Sequence, residues 1–248
     1  MGAGSQILLV AALLASGSKA LAGDAVSAKD NSAFWLWSGV KTTPEMQQAQ
    51  TVYLHQGEVV TSSAGVQFVP LGLPVSKLSF PSLWLTVRFT TLDLPETLIP
   101  RITRLMLRWQ AAGNQLVGLQ IDFDAGSYQL ASYAEFLQKV RQQLPPQFAL
   151  GVTGLLDWAK TGSVATLNEL PVDELVIQSY QGRKTVPNYA AYLPALLRLE
   201  RPFKMGIVQH GVWRESDEKL LATSPWYRGT VVFLLNPRAD DSSRKGYR

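Results

Sequence analysis

Two rhythms alternate along this chain. Short apolar runs of strand length, rich in β-branched and aromatic residues, are separated by longer stretches whose apolar residues recur at helical spacing. Phe34 to Ser38 (FWLWS) reads as a first strand, and Thr43-Pro44-Glu45 opens a short helix with a threonine cap and proline at its first position. Val52 to Gln56 is a second strand, followed by a hairpin insertion from Gly57 to Leu73 in which Val66 to Val69 returns. Ser82 to Phe89 is a third strand, and Pro95 to Ala112 a helix with Leu98, Ile102, Leu105, Met106 and Trp109 on one face and Gly113 after its end. Leu116 to Ala125 (LVGLQIDFDA) is a fourth strand, and Leu130 to Leu144 a helix stopped by Pro145-Pro146. Phe148 to Gly154 and Glu174 to Tyr180 are the fifth and sixth strands, with a helix from Tyr189 to Leu199. Phe203 to Gln209 is the seventh, Glu215 to Thr223 a short helix, and Thr230 to Leu235 the eighth.

Eight strands alternating with mostly helical connections predict an α/β protein, a single (β/α)8 TIM-like barrel over residues 33–237 with a hairpin insertion after the second strand. A doubly wound open sheet shares the alternation. No Gly-x-Gly-x-x-Gly turn and no P-loop favours it.

The fourth strand breaks the apolar rule. Gln120, Asp122 and Asp124 fall on alternate positions and project from one face, roughly 6 to 7 Å apart at a strand rise of about 3.3 Å per residue. In a barrel they approach the C-terminal mouth, where function resides. Other polar residues gather at strand ends: His55, Gln56 and Glu58, then Arg88, Thr153 and Asp157, Gln178, Tyr180 and Gln181, and finally Gln209 with His210. Trp37, Trp158 and Trp213 hold similar positions, suited either to rim packing or to an aromatic floor for a sugar ring.

Composition narrows the setting. Ile7 to Ala15 (ILLVAALLA) is an apolar run of signal-peptide length before a small-x-small pattern at Ala20-Leu21-Ala22, so residues 1–22 are expected to be a cleaved signal and the protein exported to a bacterial periplasm. The run is too short to span a bilayer comfortably, which takes about 20 apolar residues, so no stable membrane insertion is expected after signal cleavage, an uncleaved anchor being the alternative. Residues 23–32 read as a linker and 238–248 as a disordered polar tail. With no cysteine, disulfides, thiolate metal sites and cysteine nucleophiles are excluded. The formal charge of +4 falls to +3 once Lys19 leaves with the signal, and its scatter gives nucleic-acid binding no support.

Two carboxylates in a polar, aromatic-lined mouth suit glycoside hydrolysis, one holding a proton for the leaving oxygen while the other supports positive charge. Asp124 is then the expected acid and Asp122 its partner, with Gln120, Gln178, Tyr180 and Gln209 bonding sugar groups and His55 and His210 nearby; no metal or cofactor is assigned. A catalytically silent glycan-binding or scaffold barrel is the alternative. A third reading, a metal-dependent hydrolase or deacetylase, would use His55 and His210 with Asp122 or Asp124, although no HxxxH or HxxE pair is present. No Gly-x-Ser-x-Gly elbow supports a serine hydrolase.

The segments GLQIDFDA, LGVTGLLDW, ELVIQSYQG and FKMGIVQHGVW, with FWLW and VYLHQGEV upstream, resemble domain-of-unknown-function family 3142. The resemblance implies a place among TIM-barrel proteins similar to glycoside hydrolases. A more distant likeness is to the family-18 chitinase-like enzymes, whose fourth strand carries Asp-x-x-Asp-x-Asp-x-Glu. Laid on that pattern, Val117 and Gln120 replace the first two aspartates, Asp122 keeps the third, and Asp124 stands at the acid glutamate. Tyr180 resembles the tyrosine that assists the acetamido group there. The shorter acid matters, since a misplacement of about 1 Å can cost on the order of 100-fold in rate.

Overall fold

In a computed structural model, which describes residues 24–161 and 164–236, eight parallel strands close into a barrel. They are β1 (Ala33–Leu36), β2 (Thr51–Ser62), β3 (Ser82–Phe89), β4 (Leu116–Asp122), β5 (Ala149–Leu155), β6 (Glu174–Gln178), β7 (Phe203–Val208) and β8 (Tyr227–Phe233). Each pairs with the next, and β8 returns to β1 through Val232–Phe34 and Phe233–Trp35, so the (β/α)8 barrel has no free edge. The hairpin insertion is present: the outer half of β2 pairs antiparallel with Gly65–Pro70. A bulge at Gln56 turns that side chain outward, where its Oε1 accepts from Trp109 Nε1 at 2.8 Å.

Helices α1 (Leu98–Ala111) and α2 (Leu130–Gln143) connect β3 to β4 and β4 to β5; α1 buries Leu98, Ile102, Met106 and Trp109 of the face read from its spacing, with Ile99 buried and Leu105 only half-buried, and α2 buries Leu130, Tyr133, Phe136, Leu137 and Val140. The later connections are slighter: α3 (Trp158–Thr161), α4 (Val164–Glu169), α5 (Leu193–Leu196) and α6 (Glu215–Leu221). The helix expected over 189–199 is instead a 3-10 turn, Tyr189–Tyr192, followed by α5. Pro194 is the reason, because proline fits only the first turn of a helix, so the α-helix must begin beside it.

Two further expectations shift. The segment expected as a linker lies on the barrel in its described part: Asp24–Ala25 pairs with Val212–Trp213, and Val26 and Ala28 are buried. Its polar residues hid two small apolar anchors. The last strand begins earlier than Thr230, crossing Gly229, whose φ of +83° glycine alone adopts without strain. The signal, residues 1–22, and the tail, 238–248, lie outside the described residues.

The N-terminal end of the barrel is plugged by an ion pair. Lys204 Nζ on β7 lies 2.9 Å from Glu174 Oε2 on β6 and donates to Tyr53 Oη on β2 at 2.8 Å, while that hydroxyl donates to Glu174 Oε1. All three are largely removed from water, so a broken pair leaves an uncompensated charge. Lys204→Met is expected to destabilise the fold by about 3–5 kcal/mol, and the double variant with Glu174→Leu to recover most of that loss, as read by urea unfolding.

Candidate functional site

At the opposite end, the C-terminal mouth, the strand ends surround a cavity of about 730 Å³. Its wall carries Asp122 and Asp124, Arg88 from β3, Gln178 and Tyr180 from the end of β6, and an aromatic arc of Trp35, Trp37, Phe233 and Tyr192.

Asp122 is the most constrained of these. It ends β4 in register with Arg88, and it is 2% exposed. Its Oδ1 accepts from Thr153 Oγ1 at 2.7 Å and from Gln178 Nε2 at 3.5 Å, and Oδ2 lies 3.5 Å from Arg88 Nη1. Burial pushes its pKa up to about 6, and the charge of Asp124 adds to that. The Thr153 hydrogen bond, Arg88 and Gln178 oppose the rise without cancelling it. Asp124, just past the strand, has a side chain 54% exposed and paired to Arg88 Nη2 at 3.0 Å. Arg88 therefore bridges the two carboxylates, with its guanidinium carbon 5.9 Å from the Trp37 ring centroid.

The aromatic wall is tightly built. Trp35 meets Trp37 and Phe233 edge to face, at centroid distances of 5.8 and 5.3 Å, and Phe233 meets Tyr180 at 5.2 Å. Two polar atoms on this wall, Trp35 Nε1 and Tyr180 Oη, are buried with no hydrogen-bond partner among the described residues. Burial and the negative charges of Asp122 and Asp124 hold the Tyr180 phenol well above its ordinary value, so it stays a proton donor.

Among the residues expected at the site, Asp122, Asp124, Gln178, Tyr180 and Trp37 meet at the cavity. The others fall elsewhere. Gln120 lies one layer deeper and accepts from Thr86 Oγ1 at 3.0 Å. His55 is fully buried, stacked on Trp37 at 3.8 Å with its Nδ1 2.6 Å from Ser38 Oγ, and burial pushes its pKa down to about 4. Gln209 Oε1 accepts from the Leu235 backbone, tying β7 to β8. Trp158 packs in the outer layer over Gly154 and donates to the Ala125 carbonyl at 2.7 Å. Trp213 stacks on Tyr189 and donates to Glu218 Oε2 at 3.0 Å. His210 is exposed in a left-handed turn. Among the described residues no three His, Cys, Asp or Glu side chains are grouped to hold a metal, so the residues named for that chemistry are not brought together.

Trp35, Phe233 and Tyr192 were missed. The first two sit inside apolar strands, where an inward-facing ring looks like core; parity would have found Trp35, two residues before Trp37 on the same face.

Residues 83–217, over half of the chain, match the family model described as Domain of unknown function (DUF3142). No curated protein matches the chain. No helix among the described residues is long and apolar enough to cross a membrane.

The Asp122 environment predicts a pH signature. Its raised pKa means that ionisation costs stability as pH climbs from the ordinary 3.8 through about 6. Asp122→Asn escapes that cost, so its stability relative to wild type should rise across this window by up to about 3 kcal/mol. His55 contributes in the opposite sense, its stability being present above pH 6.5 and lost as pH falls through about 4, but it is common to both proteins and cancels. Urea unfolding of the pair at either end of the window reads the difference.

Proposed function

From the premise that this chain belongs to the DUF3142 family, a family of unknown function, we propose that it is an exported glycan-directed barrel whose cavity performs glycoside hydrolysis through Asp122. One observation carries the reading: a buried carboxyl with its pKa pushed up to about 6 opens on an aromatic-walled cavity. Such a group still holds its proton in mildly acid surroundings and can give it to a departing glycosidic oxygen. The roles expected from the sequence are exchanged, since Asp122 holds the proton and the half-exposed Asp124, ion-paired with Arg88, supports the positive charge that develops on the sugar. Sugar rings stack on the aromatic arc of Trp35, Trp37, Phe233 and Tyr192. The distant likeness of β4 to the family-18 chitinase-like pattern agrees with carboxylate chemistry at this strand end. The apolar run Ile7 to Ala15 and the Ala20-Leu21-Ala22 pattern support export to a periplasm.

A second reading, glycan binding without cleavage, is favoured by Arg88, which touches both carboxylates and competes for the charge that a mechanism would use.

Release of reducing ends from a panel of bacterial glycans separates them. If the barrel cleaves, Asp122→Asn is expected to lower kcat by about 10²- to 10⁴-fold with little change in KM. The wild-type rate should fall as pH rises through about 6, where Asp122 loses its proton. Binding by wild type with no cleavage at any pH establishes the second reading, and unimpaired cleavage by Asp122→Asn overturns the role given to that residue.

A further inference from the structure

Two lips rise at the rim of the cavity, and one residue holds both. The first is the turn from Trp37 to Lys41 after β1, which carries the Trp37 ring into the cavity wall. The second is the hairpin after β6 that pairs Tyr180–Gln181 with Lys184–Thr185, and its Gln181 and Gly182 line the same cavity. Phe233 meets a ring of each lip, Trp37 at 6.3 Å and Tyr180 at 5.2 Å. Packing does not fix their outer parts, since Gly39 and Lys41 on one and residues 181–184 on the other are exposed.

Asn236, just past β8, bonds to both. Its Oδ1 accepts from the Lys41 backbone N–H at 2.9 Å and its Nδ2 donates to the Gly39 carbonyl at 2.8 Å, so its amide is spent on the Trp37 turn. Its backbone carbonyl accepts from Arg183 Nη2 at 2.9 Å, at the tip of the hairpin. The turn is also held from within: the Trp37 ring stacks on buried His55, and His55 Nδ1 lies 2.6 Å from Ser38 Oγ. The ladder between β1 and β8 stops at Trp35 with Phe233, short of Trp37. Asn236 supplies hydrogen bonds across the mouth where that ladder has ended.

We propose that Asn236 is a positioning residue of the sugar-binding wall, clasping the Trp37 turn to the lip formed by Gln181 and Gly182 so that ring and lip meet a ligand as one surface. This rests on the glycan reading above for what the wall receives. Asn236 bonds to none of the groups that hold Asp122, so it acts on binding and leaves the proton alone.

Amide exchange tests the clasp without a ligand. Arg183→Met removes the hold of the hairpin on Asn236 and none of the hydrogen bonds within the Trp37 turn. If the clasp is one unit, exchange of the Val40 amide, bonded to the Trp37 carbonyl at 3.0 Å, is expected to quicken several-fold in that variant. Unchanged exchange at Val40 overturns the clasp, whatever the protein binds.

Calorimetric titration with tetrasaccharides of N-acetylglucosamine, glucosamine and glucose tests its purpose. Asn236→Ala and Arg183→Met are each expected to weaken the tightest of these by about tenfold, and the double variant to bind no more weakly than either single one, because both break the same device. Asn236→Asp keeps the acceptor for Lys41 and loses the donor to Gly39, so it should fall between wild type and Asn236→Ala. Where the glycan is cleaved, KM carries the loss while kcat and its dependence on pH stay unmoved. Additive losses, or unchanged affinity in Asn236→Ala, overturn the inference and leave the glycan reading standing. Failure of wild type to bind any of the three overturns the glycan reading and the purpose given to the clasp, whose existence exchange at Val40 decides separately.

Discussion

How the inside of the barrel is filled governs everything at its mouth. Trp84 projects from β3 into the interior, where β4 places Gly118 beside it in register and β5 places Gly151, whose Cβ, were there one, would stand 3.1 Å from the indole. The ring occupies space that Gly151 leaves vacant, while Gly118 lets the backbone of Ala149 approach. Above it Thr86 satisfies Gln120, and above that Thr153, Gln178 and Arg88 converge on Asp122. Each layer is closed before the next begins, so Asp122 rests on a floor that excludes water. This is why desolvation dominates its titration, ahead of every charge around it.

Arg88 gives that floor its ambiguity. A carboxyl group made a good acid by burial is also, in its ionised form, a good partner for a cation, and the same guanidinium reaches Asp122, Asp124 and the ring of Trp37. In the proposed function, whether the site transforms a sugar or only holds it turns on how far that cation yields. The hydrogen-bond geometry fits both, because the contact to Asp122 is long at 3.5 Å and the contact to Asp124 is short at 3.0 Å.

The eight strands were legible because buried parallel strands are nearly continuous apolar runs, and LVGLQIDFDA stood out because polar residues interrupted one. Side-chain direction was less accessible. Gln209 and Trp213 hold strand-end positions like those of Gln178 and Trp37, yet one ties β7 to β8 and the other caps the outer layer beside Tyr189. His55 showed the same limit, being within the barrel but sealed beneath Trp37. Phe233 was invisible for the converse reason, since an aromatic residue facing a cavity and one facing the core have the same neighbours in sequence, whereas Trp35 was within reach of strand parity through Trp37. Partners far apart in the chain, such as Lys204 with Glu174 and Tyr53, leave no local pattern at all.

The seam between β1 and β8 is the narrowest in the barrel. Only two residue pairs join these strands, where every other neighbouring pair has at least four. One of those two is Trp35 with Phe233, the same residues whose rings wall the cavity. The cavity wall thus straddles the line along which the cylinder most readily parts. A molecule gripping both rings would act as a rivet, so occupancy of the cavity and integrity of the barrel become a single equilibrium, with the first and last strands the first to report it.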